Sequence, residues 1–349
     1  MAQPVAAIVS YRLGGSDGVS VESAKWAWAL GELGFEVLRV AGEGEADRIL
    51  PALAMHSGER PSVSEVEDAL APADLVVVEN LCSLPLNPDA GSVVAEVLRG
   101  RWALLHHHDL PWQRPAYAGF GGPPVDPRWA HVTVNQMSCL ELATRGIAAT
   151  VVRNTFDVGA PAGDRERTRS AIGLAEHDTL VLQPTRAIAR KNVAGAIALC
   201  EALDATFWLL GPAEDGFGPE LERLVGTAGC PVVMGRDRFE VQLHMEDAYA
   251  ACDLVVLPST WEGFGNPAIE SAVHRRPLAI GTYPVAAELA SFGFRWFSSA
   301  DSSAVAAWLE QPSAELVEHN HRQAQRHFSL ADLPGRIARV LEAAGLARA

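Results

Sequence analysis

The sequence predicts an α/β protein made of two doubly wound, parallel-sheet domains. Short runs rich in β-branched residues alternate with longer helical stretches along the chain, a pattern typical of parallel sheets. At 349 residues the chain is too long for one ordinary hydrophobic core. The segment from Val158 to Asp164 is rich in glycine, alanine and proline, as expected of a linker between two domains.

The first half of the chain contains several predicted strands with helices between them. The predicted strands are Val5 to Ser10, Glu36 to Val40, Leu75 to Glu79, Trp102 to His106 and His131 to Val134. The clearest helices are Val19 to Leu33 and Gln136 to Arg145. The segments Ala41 to Arg60 and Pro111 to Pro127 are predicted as long ordered loops, which are often functional in such proteins.

The second half repeats this scheme. Its predicted strands are Leu180 to Gln183, Phe207 to Leu210, Val232 to Met234, Leu254 to Leu257 and Leu278 to Ile280. We therefore predict an N-terminal domain over residues 1–157, a C-terminal domain over residues 165–330, and a C-terminal helix over residues 331–349 that packs back toward the N-terminal domain. Ligands bind at the carboxyl ends of strands in such folds, so motifs that follow strands are expected to face one interdomain cleft.

Composition narrows the classes of function. The formal charge of −15 argues against nucleic acid as a partner, because phosphate backbones need a basic face. No apolar run is long enough for a transmembrane helix, and the N-terminus lacks the basic region of a signal peptide. Five widely spaced cysteines fit a reduced, cytoplasmic protein without a disulfide framework or zinc site.

The segment from Asp253 to Glu270 is the most informative about function. A short apolar strand is followed by a turn that contains Gly263 and Gly265, and the turn opens a helix. Backbone amides at such a helix start bind anions and hydroxyl groups. Glu262 and Glu270 stand on either side of the turn, and their carboxylates can accept hydrogen bonds from hydroxyl groups. This combination suits a sugar joined to a nucleoside diphosphate.

Two cations follow a strand of the second half. Arg186 and Lys191 lie between the strand that ends near Gln183 and a predicted helix. A solvated basic loop is the alternative interpretation. Cations near a helix start oppose the helix dipole, which favours a functional role, and a guanidinium and an ammonium there could bind a diphosphate.

Three consecutive histidines end a strand of the first half. If the strand continues through them, His106 and His108 share one face and His107 takes the other. The pattern His-x-His-Asp could chelate zinc, but the sequence offers no second ligand cluster, so we predict no metal site. A polar strand end without a catalytic role is the remaining alternative.

Two glycine turns are further candidates. The turn with Gly15 and Gly18 precedes the first helix but lacks the GxGxxG spacing, so an NAD site is not expected. A tight turn alone explains it equally well. Gly235 and Arg236 follow the predicted strand that ends at Met234.

These motifs resemble, in order and spacing, the retaining glycosyltransferases of family 4, which have the GT-B fold. The resemblance runs from about residue 5 to about residue 345 and includes the E-x7-E pair in EGFGNPAIE, PTRAIARKN and HHHDLPWQ. It implies catalytic roles for His108 and Glu262. It also implies a donor diphosphate site at Arg186, Lys191, Gly15 and Gly18, and a sugar and nucleotide site at Phe264, Gly265, Asn266, Glu270, Gly235 and Arg236. The sequence departs from the family at Asn266, where an apolar residue is usual.

The resemblance implies a metal-independent hexosyltransferase that moves a sugar from a nucleotide-diphosphate donor to a small-molecule or glycan acceptor. The nucleotide sugar is a co-substrate, and no cofactor is expected. Two alternatives stay open: a nucleotide-sugar isomerase or hydrolase of the same fold, and a non-catalytic nucleotide-sugar binding protein. The sequence does not specify the donor sugar, its base or the acceptor, and a homo-oligomer stays open.

Overall fold

The computed structural model of the protein describes residues 3–15, 17–236, 239 and 242–346. The chain folds as two units. The first unit consists of Met1–Thr155 together with Leu330–Ala349, and the second unit consists of Phe156–Ser329. The change between units therefore falls at Thr155 and again at Ser329, and the C-terminal segment is part of the first unit.

The strands of the first unit are β1 (Val5–Leu13), β2 (Glu36–Gly44), β3 (Arg48–Ile49), β4 (Leu75–Glu79), β5 (Ala103–His107), β6 (Trp129–Thr133) and β7 (Ala149–Val151). They form one parallel sheet in the order β3-β2-β1-β4-β5-β6-β7. The order reverses between β1 and β4, and this reversal is where doubly wound folds bind ligands.

Helices cover both faces of this sheet. They are α1 (Gly18–Glu32), α2 (Val63–Leu70), α3 (Pro88–Leu98), α4 (Gln136–Ala143) and, from the C-terminus, α13 (Leu333–Ala343). Alternate residues of β1 enter different cores, since Ala7 and Val9 pack on the side of α3, whereas Ala6 and Ile8 pack on the side of α1 and α13. This alternation follows from the two-residue period of a strand.

The strands of the second unit are β8 (Leu180–Gln183), β9 (Thr206–Leu209), β10 (Val232–Met234), β11 (Leu254–Leu257), β12 (Leu278–Ile280) and β13 (Phe297–Ser298). They too are parallel, in the order β10-β9-β8-β11-β12-β13. The helices are α5 (Arg165–Ala171), α6 (Val193–Ala202), α7 (Gly218–Thr227), α8 (Met245–Ala251), α9 (Asn266–Val273), α10 (Pro284–Ala290), α11 (Ser302–Glu310) and α12 (Ala314–Phe328). The order reverses between β8 and β11.

The fold class predicted from the sequence is confirmed, and one predicted loop is wrong. The segment from Ala41 to Arg60 was expected to be a loop, but β2 continues to Gly44 and β3 follows it. The parallel pairing of β2 with β1, which runs as far as Leu13 and Gly44, explains the difference, because the partner strand supplies hydrogen bonds that the local sequence does not reveal. No helix among the described residues is long and apolar enough to cross a membrane.

Candidate functional site

The motif residues of the second unit follow the two strands at which its sheet order reverses. Arg186 and Lys191 come after β8, and Glu262 and Glu270 come after β11. Because the carboxyl ends of parallel strands share one edge of the sheet, residues 71 positions apart along the chain can meet there. The contacts described next show that two of the four, Lys191 and Glu262, do meet.

Glu262 is the centre of a buried ionic cluster. Its side chain is 6% exposed, and its Oε1 accepts hydrogen bonds from Lys191 Nζ at 2.5 Å and from Ser259 Oγ at 2.6 Å. Its Oε2 accepts from Arg190 at 2.8 Å. Burial alone would raise the pKa of Glu262, but the charges of Lys191 and Arg190 outweigh burial and lower it. The carboxylate is therefore ionised and firmly held.

Arg190 is the residue of this cluster that the sequence did not reveal. Its guanidinium donates to the carbonyl oxygen of Trp261 at 2.9 Å as well as to Glu262. Its own carbonyl oxygen accepts from the backbone amide of Thr260 at 2.9 Å. Side chain and backbone of Arg190 thus hold the segment that leads into the glycine turn. A second basic residue beside Lys191 was the available signal, but its partner lies 72 positions away.

Arg186 has a different partner from Lys191. The Arg186 guanidinium forms an ion pair with Glu214, a residue that the sequence did not indicate, and both side chains are about one third exposed. Arg186 nevertheless lies close enough for its charge to lower the pKa of Lys191, although burial of the ammonium is the largest cause of that shift. The two predicted cations are therefore electrostatic neighbours, each paired with a carboxylate.

The glycine turn has the conformation that its sequence suggests. Gly265 has a φ of +91° and precedes the first residue of α9, Asn266, while Pro267 stands in the first helical turn. The Phe264 side chain is buried and stacks against Phe156 with 6.3 Å between ring centroids. Phe264 therefore packs in the interior, and only its backbone is placed to contact a ligand at the turn.

Glu270 lies one turn into α9 and is half-buried. Its Oε2 accepts a hydrogen bond from the hydroxyl of Tyr249 at 2.7 Å. Burial and the Glu270 charge raise the pKa of Tyr249 well above its ordinary value, so the hydroxyl keeps its proton. Tyr249 therefore orients the Glu270 carboxylate, a contact that the sequence did not indicate.

The backbone of Gly235, in the turn after β10, forms hydrogen bonds with other residues of the protein. The amide of Gly235 donates to the carbonyl of Leu209 at 2.8 Å, and the carbonyl of Gly235 accepts from the Trp208 indole at 2.8 Å. A carbonyl oxygen has two lone pairs, so this one can accept a further hydrogen bond. The nucleotide-base contact at Gly235 and Arg236 stays a prediction.

The histidines of the first unit divide between two faces, as the strand period predicts. On one face, a single carboxylate oxygen of Glu79, Oε2, lies 2.9 Å from His106 Nδ1 and 2.7 Å from His108 Nε2. Glu79 is the last residue of β4. On the other face, His107 Nε2 lies 2.9 Å from His131 Nδ1. Only His106 and His108 therefore belong to the carboxylate cluster.

The pKa values of the two histidines are shifted in opposite directions, although Glu79 raises both. Burial lowers the pKa of His106 below its ordinary value despite the charge of Glu79. Burial would also lower the pKa of His108, but the hydrogen bond and charge of Glu79, helped by Glu22 and Asp109, raise it. His108 is thus the imidazole more readily protonated, with Nε2 directed to Glu79, and no hydrogen bond to its Nδ1 is seen among the described residues.

The same three side chains have the composition of a metal site. The ligand atoms of Glu79, His106 and His108 lie within 4.8 Å of one another. The absence of a further ligand was the reason for predicting no metal, and that reason is wrong, because Glu79 completes a group of three. The N···O distances of 2.7 and 2.9 Å are hydrogen-bond lengths, whereas two ligands of a tetrahedral zinc lie about 3.3 Å apart.

In the glycine turn before α1, the carboxylate of Asp17 already binds the free amides of the helix start. Asp17 caps α1, since its Oδ1 accepts from the amides of Val19 and Ser20 at 3.1 Å, and its Oδ2 pairs with Arg12 at 3.0 Å. An anion bound at this helix start would compete with Asp17. The diphosphate contact at Gly15 and Gly18 therefore stays a prediction, without support from the geometry of the helix start.

The region that contains the Glu262 cluster matches a known family. Residues 189–311 match the model of the family described as Glycosyl transferases group 1. The matched region begins at the 3-10 turn that carries Arg190 and Lys191 and includes Glu262, Gly265 and Glu270. The second unit is therefore similar to this family over residues 189–311.

Whole proteins resemble the chain along most of its length. It is 25% identical to the mannosylglucosylglycerate synthase of Thermotoga maritima, covering 95% of this chain and 98% of that one. It is 24% identical to the enzyme of the same name from Petrotoga mobilis, with 82% and 84% covered. The crystal structure of Anabaena HepE in complex with UDP and glucose superposes with a TM-score of 0.76 at 16% identity, over 97% of this chain and 100% of that one. The structural likeness shows the GT-B fold.

Proposed function

We propose that the protein is a retaining glycosyltransferase of family 4 that uses a nucleotide-diphosphate sugar. The observation that carries the proposal is the buried cluster at the sheet reversal of the second unit, where Glu262 is held by Arg190 and Lys191 beside the glycine turn of α9. Cations, helix-start amides and an ionised carboxylate together match a diphosphate and a sugar. The UDP and UDP-glucose complexes of HepE support a nucleotide-sugar donor.

Each residue of the cluster has a distinct part in the proposed reaction. Lys191 and Arg186 bind the diphosphate and stabilise the negative charge that it gains as it leaves. Lys191 is paired with Glu262 in the structure, so it exchanges that carboxylate for the diphosphate. Arg190 then remains on Glu262 and keeps the carboxylate ionised for the sugar hydroxyls. Glu270, oriented by Tyr249, accepts hydrogen bonds from the ribose.

The first unit contributes His108 to the proposed reaction. Because Glu79 favours its protonated form, His108 can donate a hydrogen bond through Nδ1 to the donor sugar or the departing oxygen. The leaving phosphate itself deprotonates the acceptor on the same face of the sugar, as the family resemblance implies. The cations of the second unit supply the positive charge that a divalent ion would otherwise provide, so we propose catalysis without a metal.

The name of the two relatives suggests the first acceptor to test. They are mannosylglucosylglycerate synthases, so we propose a mannosyl donor and a small anionic glycoside such as glucosylglycerate as the starting pair. The experiment measures release of nucleoside diphosphate from a panel of nucleotide sugars, with and without the acceptor. We expect release that depends on the acceptor. Release without an acceptor would indicate a hydrolase, and conversion of the donor into another nucleotide sugar would indicate an isomerase.

A pair of variants connects this assay to the cluster. Glu262→Gln should lower turnover, because an amide loses the charge that Arg190 and Lys191 hold. Glu220→Gln is the matched control, since Glu220 forms an exposed pair with Arg223 on α7 of the same unit. Equal turnover of both variants and the parent protein would contradict the assigned role of Glu262. Tight donor binding with no turnover on any acceptor would favour a non-catalytic binding protein.

A further inference from the structure

The hydroxyl of Tyr283 is a buried donor that has no acceptor in the described part of the chain. Tyr283 precedes α10 and follows β12, the strand beside β11 in the sheet. The residue is 3% exposed, and its hydroxyl has no hydrogen-bond partner among the residues that the structure describes. Buried polar groups are nearly always paired, because an unpaired one lowers stability. A hydroxyl in this state points to a partner from outside the chain.

The hydroxyl lies directly at the glycine turn of the candidate site. A Cβ atom added to Gly265 would come within 2.7 Å of the Tyr283 hydroxyl oxygen and 3.7 Å of the Glu262 side chain. Gly265 is the residue before α9, so its neighbouring amides lie at the positive end of that helix. The hydroxyl, the Cβ and Cγ atoms of Glu262 and the start of α9 therefore surround one point.

The protein holds Tyr283 in place without using its hydroxyl. The amide of Gly281 donates to the carbonyl of Leu257 at 2.8 Å, and a Cβ on Gly281 would meet the Ser259 carbonyl oxygen at 2.4 Å. This close approach, which only glycine allows, places the segment before α10 against the end of β11. The backbone thus delivers the Tyr283 ring to the turn and leaves the hydroxyl to another partner.

Glu262 does not take up this hydroxyl. Its Oε1 accepts from Lys191 and Ser259, and its Oε2 accepts from Arg190. Burial, followed by the nearby charge of Glu262, raises the pKa of Tyr283 well above its ordinary value. The hydroxyl therefore stays protonated at neutral pH and can donate a hydrogen bond to an incoming oxygen atom.

We propose that the Tyr283 hydroxyl donates a hydrogen bond to a hydroxyl group of the transferred sugar and helps to determine which sugar is accepted. This inference rests on the proposed function, which places a nucleotide sugar at the turn. A site that pairs a buried donor with a substrate hydroxyl rejects analogues that lack it, because the donor is then left unpaired. Tyr283 would therefore discriminate among hexoses at one position of the ring.

The test uses Tyr283→Phe, which removes the hydroxyl and keeps the ring. Titration calorimetry measures the affinity of the parent and the variant for the best-binding nucleotide sugar of a panel and for its nucleoside diphosphate. We expect the variant to bind the nucleotide sugar about tenfold more weakly, the effect of one lost hydrogen bond, and the nucleoside diphosphate equally well. Its urea midpoint should not fall, because no partner within the protein is lost.

Tyr11→Phe is the matched control. Tyr11 is equally buried, but its hydroxyl contacts the carbonyl oxygens of Leu81 at 3.0 Å and Leu84 at 2.8 Å. The same chemical change should therefore lower the urea midpoint and leave both affinities unchanged. The two variants are predicted to give opposite results in the two measurements.

Deoxy analogues of the bound nucleotide sugar locate the contact. At one ring position the deoxy sugar should weaken binding to the parent but cause little further loss in Tyr283→Phe, which is the signature of a coupled pair. An equal loss of nucleoside-diphosphate affinity would assign the hydroxyl to a phosphate and overturn the inference. Unchanged affinities with a lower urea midpoint would overturn it as well. If the parent binds neither ligand, the proposed function fails first.

Discussion

The Arg190→Met variant tests the ionic cluster most simply. The substitution removes the guanidinium contacts to Glu262 at 2.8 Å and to the Trp261 carbonyl at 2.9 Å and keeps an apolar side chain of similar length. A hydrogen bond to a charged group contributes about 1.5–3 kcal/mol, and breaking a buried ion pair completely costs about 3–5 kcal/mol. Lys191 and Ser259 remain on Glu262, so we expect a loss of about 2 kcal/mol in the free energy of unfolding.

The assay is urea unfolding at pH 7, with Arg223→Met as the matched control. Arg223 pairs with Glu220 on the surface of α7, and both side chains are about half exposed. Exposed pairs of this kind contribute about 0–1 kcal/mol, so the control should be nearly as stable as the parent. Equal urea midpoints for Arg190→Met and Arg223→Met would show that the contacts of Arg190 with Glu262 and Trp261 do not stabilise the fold.

The pH dependence supplies a second check on the same variant. The pKa of Glu262 is lowered in the folded protein, so its stabilising contribution is complete above the unfolded pKa of about 4.3 and is lost as the pH falls through the folded pKa. Arg190→Met raises the folded pKa, because it removes one of the two cations that lower it. The stability difference between parent and variant should therefore shrink below about pH 4. A difference that stays constant to pH 3 would contradict this explanation.

The remaining predictions concern the donor and the histidine cluster. Arg186→Ala and Lys191→Ala should each weaken nucleoside-diphosphate binding about tenfold in calorimetry, because a charge-assisted hydrogen bond is lost, and equal affinity would contradict the diphosphate-binding role of these two residues. Glu270→Gln should raise the KM for the donor with little change in kcat, because ribose contacts are similar in ground and transition states; a fall in kcat alone would contradict this. His108→Ala should lower kcat about 10²-fold. Activity should fall at high pH as His108 loses its proton. Glu79→Gln should move this fall to lower pH, because the charge that raises the pKa of His108 is removed. Metal analysis of the purified protein should find no stoichiometric zinc, and one zinc per chain, lost in His108→Ala, would contradict a metal-free cluster.

Most strands were predictable because their apolar runs are short and clearly bounded, whereas β3, β7 and β13 were not predicted. Leu75 to Glu79, Leu180 to Gln183, Val232 to Met234, Leu254 to Leu257 and Leu278 to Ile280 match the observed strands at both ends. The extension of β2 to Gly44 was not predictable, because its glycines resemble a loop until β1 is known to pair with them. Local patterns therefore give strands, and pairing between distant segments decides where they end.

The partners of the site residues depend on the fold. Glu79 is the last residue of a buried apolar strand, and nothing in that strand indicates the histidines 27 and 29 positions later. Arg190 meets Glu262 because β8 and β11 are neighbours in the sheet. Tyr283 stands near no recognisable motif and reaches the turn only because β12 lies next to β11. Sequence spacing thus indicates which residues carry chemistry, and strand order indicates which of them meet.

Binding of a nucleotide sugar to the intact chain is the most direct test of the proposed donor site. Calorimetry with a panel of UDP-, GDP- and ADP-sugars would be run on the parent protein, on Lys191→Ala and on the surface control Arg223→Met. We expect that one member of the panel binds the parent at one site per chain, that the control binds equally well, and that Lys191→Ala binds about tenfold more weakly. A parent protein that binds no member of the panel, or a Lys191→Ala variant that binds as tightly as the control, would contradict this expectation.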